Sequence, residues 1–315
     1  MSGYLLKGQW SQGWYETRKT GGEFVRRESA FRNWITADGA SGFKAEADRY
    51  HLYVSLACPW AHRTLIFRKL KRLEDAISVS VVEPVMSEQG WVFGEGPGCI
   101  PDTVNGFQYL HQAYTTADPA YSGRVTVPVL WDRQSKTIVS NESADIIRMF
   151  NSAFAAMSPV RYDYYPEPLR AAIDEVNQLV YERINNGVYR AGFAGSQAAY
   201  ERAFDALFSA LDHCEESLSR SQYLVGEALT EADWRLFTTL VRFDAVYYVH
   251  FKCNRRRIAD YPNLSRLLSE LYRVPGVAET VNMDHIKRHY YLSHRHLNPS
   301  GIVPKGPLLE FTESA

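Results

Sequence analysis

The 315-residue sequence has no apolar run near the roughly 18–20 residues that a membrane-spanning helix needs. It has no excess of charge: 35 Lys and Arg stand against 36 Asp and Glu, a net charge of −1. That balance gives no electrostatic footprint for nucleic acid or an anionic membrane, so neither is expected as a partner. Cysteine is scarce, with only Cys58, Cys99, Cys214 and Cys253, no two at C-x-x-C spacing. A disulfide scaffold or a zinc ribbon is therefore disfavoured, and a reducing, cytoplasmic setting is the default expectation. Met1 to Trp10 lacks a basic region followed by a hydrophobic stretch, which argues against a secretory signal. There is no internal repeat, low-complexity tract or glycine period to suggest a fibre. The composition, 45% hydrophobic and 23% charged, is that of a globular protein of one large or two ordinary domains. Aromatic residues are abundant, with 20 Tyr, 15 Phe and 7 Trp, enough to fill a core and also to line a flat pocket.

The pattern changes along the chain. Residues 1–45 read as an irregular arm, punctuated by Gly8, Gly13, Gly21 and Gly22 and rich in aromatics, that packs on the rest. Residues 46–152 read as an α/β domain. A strand over 51–57, a helix over 61–73 with Leu65, Ile66, Leu70 and Leu73 on one side, and a strand over 77–82 seed a parallel layer. Residues 84–123, rich in Gly, Pro and polar side chains, read as an insertion, either an ordered wall or a lid. A hairpin follows over 125–131 and 137–140, and a helix begins at Ser143. A proline-bearing linker over 153–167 leads to an all-helical domain over 168–295 and an irregular tail over 296–315.

The sharpest chemical signal is Ala57-Cys58-Pro59-Trp60-Ala61-His62-Arg63, a cysteine between a strand and a helix. A thiol there faces the positive end of a helix dipole, which favours thiolate, and Pro59 suits the first helical turn. The plain alternative is a buried, inert cysteine. Three residues on, where a dithiol oxidoreductase keeps its resolving cysteine, stands Ala61. A lone nucleophile must form its mixed disulfide with a small thiol, to be resolved by a second one, and this points to glutathione. Cys99 could in principle resolve, but no pattern places it near. Val127-Pro128, just before a strand, reads as a cis peptide that would present the Val127 backbone to a peptide-like ligand, or else as a bulge or edge strand. At Ser140-Asn141-Glu142-Ser143 a helix N-terminus offers N–H donors to a carboxylate, and Glu142 could accept from an ammonium. A γ-glutamyl end carries both groups. Ordinary capping by Asn141 or Ser143 is the alternative.

These residues resemble the glutathione transferases: a thioredoxin-like α/β N-terminal domain followed by an all-α C-terminal domain. More narrowly the chain is similar to the glutathionyl-hydroquinone reductases, the Xi class. The resemblance covers nearly the whole chain. It rests on Gly21-Gly-Glu-Phe-Val-Arg-Arg27 with Phe31-Arg-Asn-Trp-Ile-Thr36, on Cys58-Pro-Trp-Ala-His-Arg-Thr64, and on Ser140-Asn-Glu-Ser143. Leu229-Thr-Glu-Ala-Asp233, His289-Tyr-Tyr-Leu-Ser-His294, Asn298-Pro299 and Gly301-Ile-Val-Pro304 complete it. Cys-Pro-x-x alone is shared with omega-class transferases and glutaredoxins; the arm and the tail narrow the match. The resemblance implies that Cys58 attacks the sulfur of a glutathionyl-hydroquinone, leaving a Cys58–glutathione mixed disulfide that a second glutathione resolves. It also implies that Trp91, Arg124, Val127, Pro128, Glu142 and Ser143 bind glutathione. Tyr189 and one of Tyr290 and Tyr291, with Tyr290 preferred, would serve the quinone ring. Finally it implies a homodimer, with glutathione as co-substrate and a glutathionylated aromatic as substrate.

Other candidates carry less. His285, His289, His294 and His296 are spaced unevenly and lack a Cys or acid partner set, so no metal is expected. Cys214 sits beside Leu211 and Leu218 and reads as core, and Asp233 reads as half of a capping box. Two further readings stand beside the leading one. An omega-like thiol transferase or dehydroascorbate reductase would use the same Cys58 but has no use for the arm and the Tyr-Tyr tail. A non-catalytic binding protein on the same fold would not need a thiol at residue 58.

Overall fold

A computed structural model of the chain describes residues 3–309 and 311. The arm does not start as an irregular segment. β1 (Gly3–Leu6) and β2 (Gln9–Gln12) form a hairpin in which Leu6 pairs with Gln9. The two linking residues, Lys7 and Gly8, take φ of 48° and 77°, the left-handed geometry that a two-residue hairpin turn requires. β3 (Ile35–Thr36) and β4 (Phe43–Lys44) pair separately. Then follow β5 (Tyr50–Val54), α1 (Pro59–Leu70) and β6 (Ile77–Val81). The 84–123 segment carries a helix that the sequence reading does not anticipate, α2 (His111–Ala117). Next come β7 (Gly123–Arg124), β8 (Val129–Asp132), β9 (Thr137–Ser140) and α3 (Ser143–Ser152). The remaining helices are α4 (Arg170–Leu179), α5 (Gly187–Gly192), α6 (Gln197–Leu218), α7 (Glu231–Arg242), the one-turn α8 (Tyr248–His250), α9 (Pro262–Tyr272) and α10 (Met283–Ser293).

The chain forms two compact units, each drawn from separate stretches. The first comprises the residues up to Trp14, Glu28–Tyr162 and Glu279–Val303. Its centre is a mixed sheet of order β6-β5-β8-β9, with β5 parallel to β6 and antiparallel to β8. Both faces of β5 are buried, so its residues, His51 among them, do not alternate between buried and exposed. On one face Tyr50 meets Phe154, just past the end of α3. On the other, Tyr53 packs on Phe93 and Trp131, and Trp131 on Phe107, so the insertion covers that face. The insertion is a wall tied by backbone bridges: Val81 to Ile100, Val82 to Phe93 and Val92 to Tyr109. Asp102 stiffens it, accepting from the backbone N–H groups of Val104, Asn105 and Phe107 and from the Tyr53 hydroxyl.

The expected domain boundaries put α10 with the helical half, but its contacts place it in the first unit. His285 Nε2 lies 2.7 Å from the Pro97 carbonyl and His289 Nδ1 2.8 Å from that of Pro84. The Met86 N–H donates to Ser293 Oγ. Just before α10, Thr280 Oγ1 meets His62 Nε2 of α1 at 2.8 Å.

The second unit comprises Tyr15–Arg27, Asp163–Ala278 and the chain from Pro304. α4 runs through a π-helical stretch, Val180–Asn185, toward α5, and α7 runs through another, Phe243–Tyr247, into α8. The core gathers Leu207, Phe208 and Leu211 of α6, Trp234, Phe237 and Leu240 of α7, and Leu264, Leu267 and Leu271 of α9. Helix ends are closed by side chains close in sequence or in the fold. Thr230 and Asp233 make the expected capping box of α7. Ser196 caps α6, and Glu215 accepts from the Asn263 and Leu264 N–H groups at the start of α9. The arm's Tyr15–Arg27 stretch joins this unit through Phe24, which packs edge-on to Phe193, and through the Gly195 N–H, which donates to the Gly22 carbonyl. Among the described residues no helix is long and apolar enough to cross a membrane.

Candidate active site

β5 ends at Val54, and a short turn leads to Cys58, the N-cap residue of α1 (φ −77°, ψ 123°), with Pro59 in the first helical position. The Cys58 N–H donates to the Ser55 carbonyl, and the Cys58 carbonyl accepts from His62, the first turn of the helix. The side chain therefore projects at the helix N-terminus, where a negative sulfur is favoured. The Cys58 thiol is partly exposed and donates to the Val127 carbonyl oxygen, 3.5 Å away. All four cysteines are thiols. The other three sit in surroundings that hold the proton. Burial first, then the neighbouring Glu83, pushes Cys99 up to about 12. Burial pushes Cys214 up to about 12 and Cys253 higher still. Cys99 donates weakly to the Val82 carbonyl, 3.9 Å away.

Val127-Pro128 is a cis peptide. Tyr114 of α2 fixes the residue before it: the Tyr114 hydroxyl donates to the Thr126 carbonyl at 2.8 Å and accepts from the Thr126 N–H. Among the described residues the Val127 N–H has no hydrogen-bond acceptor, so this backbone unit offers a donor and an acceptor side by side. Asn141 Nδ2 reaches the same Tyr114 hydroxyl, and Asn141 Oδ1 accepts from the Phe31 N–H, so Asn141 anchors the arm and does not cap α3. Glu142 is the cap: one carboxylate oxygen accepts from the Ala144 N–H and the other from the Ser29 hydroxyl, each at 3.0 Å. Ser143, buried in the first turn, lies 3.4 Å from a guanidinium nitrogen of Arg63, itself fully buried on α1.

Arg124 is engaged with the arm. Its Nη1 donates to the carbonyls of Gly13 (2.7 Å) and Gly3 (3.1 Å) and its Nη2 to that of Trp14 (2.8 Å). Three charge-assisted bonds hold the hairpin and its exit in place. Trp91, in the insertion, stacks on His289 of α10, with centroids 4.9 Å apart and planes 20° apart. Tyr290 and Tyr291 are both buried; the Tyr290 ring stands edge-on to His289 and His294. Burial lifts the Tyr291 phenol to about 12, so it stays protonated. Cys58, Trp91, Arg124, Val127, Pro128, Glu142, Ser143, Tyr290 and Tyr291 all belong to the first unit. Tyr189 belongs to the second, buried against Phe193 and Phe251 with the Arg26 guanidinium 4.9 Å over its ring. The sequence reading passed over Arg63 and His289. His289 stands in the His289-Tyr-Tyr-Leu-Ser-His294 motif of the resemblance and is otherwise read only as a possible metal ligand, so the sequence gives it no role of its own at the site. Among the described residues no group of three or more His, Cys, Asp or Glu could hold a metal ion.

The model of the glutathione S-transferase N-terminal domain matches residues 57–153, and that of the C-terminal domain residues 197–269. The glutathionyl-hydroquinone reductase YqjG of Escherichia coli is 58% identical over 99% of this chain and 97% of its own. The chain belongs to the glutathionyl-hydroquinone reductases. PcpF of Sphingobium chlorophenolicum, a reductase of the same name, is 56% identical over 97% of this chain and 96% of its own. The glutathione-bound structure of YqjG superposes with a TM-score of 0.90 at 55% identity, covering 99% of this chain and 97% of that one. A Xi-class transferase from Natrialba magadii reaches 0.92 at 49% identity, covering 100% and 95%. A glutathionyl-hydroquinone reductase thus has its cysteine at the junction of strand and helix, on the fold that the sequence implied.

Proposed function

We propose that this chain reduces glutathionyl-hydroquinones to hydroquinones at the expense of glutathione, with Cys58 as nucleophile. The observation that carries the reading is the Cys58 thiol, at the N-terminus of α1 and 3.5 Å from the Val127 carbonyl, in a chain whose other thiols are held protonated or buried. The Cys58 thiolate attacks the sulfur of the aryl thioether. A Cys58–S–S–glutathione bond forms as the carbon–sulfur bond breaks in the keto tautomer, whose ring carbon already carries its proton; the electron pair passes through that carbon to the ring oxygen, which is protonated as the aromatic hydroxyl re-forms. A second glutathione thiolate then attacks the glutathionyl sulfur, releasing glutathione disulfide and the Cys58 thiolate. The net exchange is one thioether and one glutathione for one hydroquinone and one glutathione disulfide.

Glutathione pairs with the backbone of Val127, taking the N–H as donor and the carbonyl as acceptor in place of the Cys58 thiol. Its γ-glutamyl carboxylate meets the N-terminus of α3 at Ser143, where the buried Arg63 adds positive charge. Its ammonium meets Glu142. Trp91 packs on the tripeptide. Arg124 supports the site by holding the arm, with a carboxylate as a further partner. Expulsion of sulfur proceeds through a keto tautomer of the ring, and a phenol that donates to a ring oxygen favours it. Tyr290 is assigned that task; its ring shares an aromatic cluster with His289 and Trp91, which favours it over Tyr291. The enzyme works as a homodimer in the cytoplasm, a setting that fits four cysteines all present as thiols.

The test is an assay with glutathione and glutathionyl-menadiol, following menadiol and glutathione disulfide by chromatography beside a dehydroascorbate assay. Stoichiometric release of both products, faster than dehydroascorbate reduction, is expected. No menadiol with rapid dehydroascorbate turnover would move the chain to the omega-like activity instead. Sedimentation equilibrium at twice the 36.0 kDa chain mass is the expected result for the dimer.

A further inference from the structure

We propose that His289 is a positioning residue for the glutathione subsite: it sets the plane of the Trp91 indole. The inference rests on the reading above, in which Trp91 packs against glutathione. The backbone of Trp91 is fixed by the insertion, where its carbonyl accepts from the Leu110 N–H at 3.0 Å. A backbone bond fixes the Cα of a tryptophan but not its two side-chain torsions, which are set by whatever touches the ring. The described ring contact is with the His289 imidazole, face to face with the indole at 4.9 Å.

The imidazole is itself held in one orientation. Its Nδ1 lies 2.8 Å from the Pro84 carbonyl, so Nδ1 carries the proton and donates. The rings of Tyr290 and His294 stand edge-on to it at 5.3 and 5.4 Å. His289 is nine-tenths buried. With one face of the indole covered, glutathione meets its other face or its edge.

The preceding turn is fixed by its own backbone and by the arm. Ser87 and Gly90 exchange backbone bonds, and Trp10 of the arm hairpin donates from its indole N–H to the Glu88 carbonyl at 2.9 Å. A side chain at Gly90, where φ is +77°, would drive into the Trp10 ring at 2.6 Å. Arm and terminal helix thus clamp the stretch that carries Trp91, and His289 alone among these contacts touches the indole face to face.

The experiment measures the glutathione dissociation constant by calorimetry, together with KM and kcat for glutathione in the glutathionyl-menadiol assay, on four variants. Trp91→Ala tests the reading underneath. His289→Ala removes the stack and the hydrogen bond. His289→Phe keeps a ring. His285→Leu removes the other histidine–carbonyl bond that docks the same helix, to Pro97. The expected result is a loss of glutathione affinity of about 5- to 10-fold in His289→Ala, within the range that an aromatic pair supports, with less than about twofold in His289→Phe. KM should carry the loss and kcat at saturating glutathione should not. His285→Leu should lower the melting temperature and leave the affinity unchanged. Unchanged affinity in His289→Ala, with weakened affinity in Trp91→Ala, overturns the inference. So does an equal loss in His285→Leu, which would make helix docking the cause. Unchanged affinity in Trp91→Ala overturns the assignment of Trp91 itself, and the inference falls with it. Should His289→Ala fail to fold, His289→Leu takes its place: a similar volume without a ring should lose what His289→Phe keeps.

Discussion

The two units use their polar groups differently. In the second, polar side chains close helix ends: buried Asp233 serves Thr230, three residues away, exposed Ser196 serves Ala199, and Glu215 reaches the start of α9. In the first, polar side chains join stretches far apart in the chain. Arg124 holds Gly3, Gly13 and Trp14; Asn141 holds Phe31; His62 meets Thr280; His289 meets Pro84. Closure in the second unit joins helix to helix, as Glu215 does at the start of α9 and Asn185 does to α7. Distant closure makes a rigid irregular surface, the kind of surface on which a flexible tripeptide can be held without each contact being made anew.

The thiols offer the sharpest way to test this contrast. Cys58→Ala should lower turnover by at least about 10³-fold, read as glutathione disulfide release, while calorimetry still detects glutathione. Cys214→Ala, in the core of the second unit, should leave turnover within about twofold and lower only the melting temperature. Full activity in Cys58→Ala would remove the mechanism. The next effect depends on pH. His51 of β5 is buried between the Ser78 and Ser80 hydroxyls, and burial lowers its pKa from 6.5 to about 4. Between those values the unfolded chain binds the proton that the folded one refuses. The stabilisation is therefore present above pH 6.5 and lost as pH falls toward 4, by up to about 3 kcal/mol. Denaturant titrations at pH 7 and pH 4.5 should find that slope in the wild type and find it reduced in His51→Gln.

Smaller effects separate local from distant closure. Asp233→Ala removes the capping box of α7 and should cost about 2 kcal/mol of stability without changing the affinity for glutathione. A change in affinity would mean that the helical unit is not closed locally. At the bottom of the scale is Arg32, whose bidentate pair with Asp145 is half exposed. Arg32→Ala should cost less than about 1 kcal/mol, with the residual vanishing in high salt. It is the control for distant ties that are not buried.

The same contrast explains what could be read from the sequence. Thr230-Glu-Ala-Asp233 and the strand–Cys-Pro–helix junction are signals written within a few residues, and each is legible. So are the cis Val127-Pro128 and the hairpin of β8 and β9. Glu142 as the cap of α3 was missed because Asn141 and Ser143 are better capping residues in isolation; the structure spends Asn141 on the arm. α2 was missed because seven residues with two threonines carry little helical signal, and its stability comes from Tyr114 reaching Thr126 and Asn141. The β1–β2 hairpin could have been found from Lys7-Gly8 alone. The pairing of Trp91 with His289 could not, since the two residues lie almost two hundred positions apart and neither carries a periodic signature.

The assembly of the first unit from the residues up to Trp14, Glu28–Tyr162 and Glu279–Val303 has a consequence for the chain during its own synthesis. As it leaves the ribosome, the sheet and Cys58 emerge first, yet the helix that carries the partner of Trp91 is made only after the whole Asp163–Ala278 stretch. The helical unit has nearly all its residues in hand while the sheet unit still waits for one of its walls. Until residue 293 is added, His62 has no Thr280 held in place and Trp91 has no ring to lie on, so a nascent chain displays the Cys58 thiol before the α10 side of its unit exists.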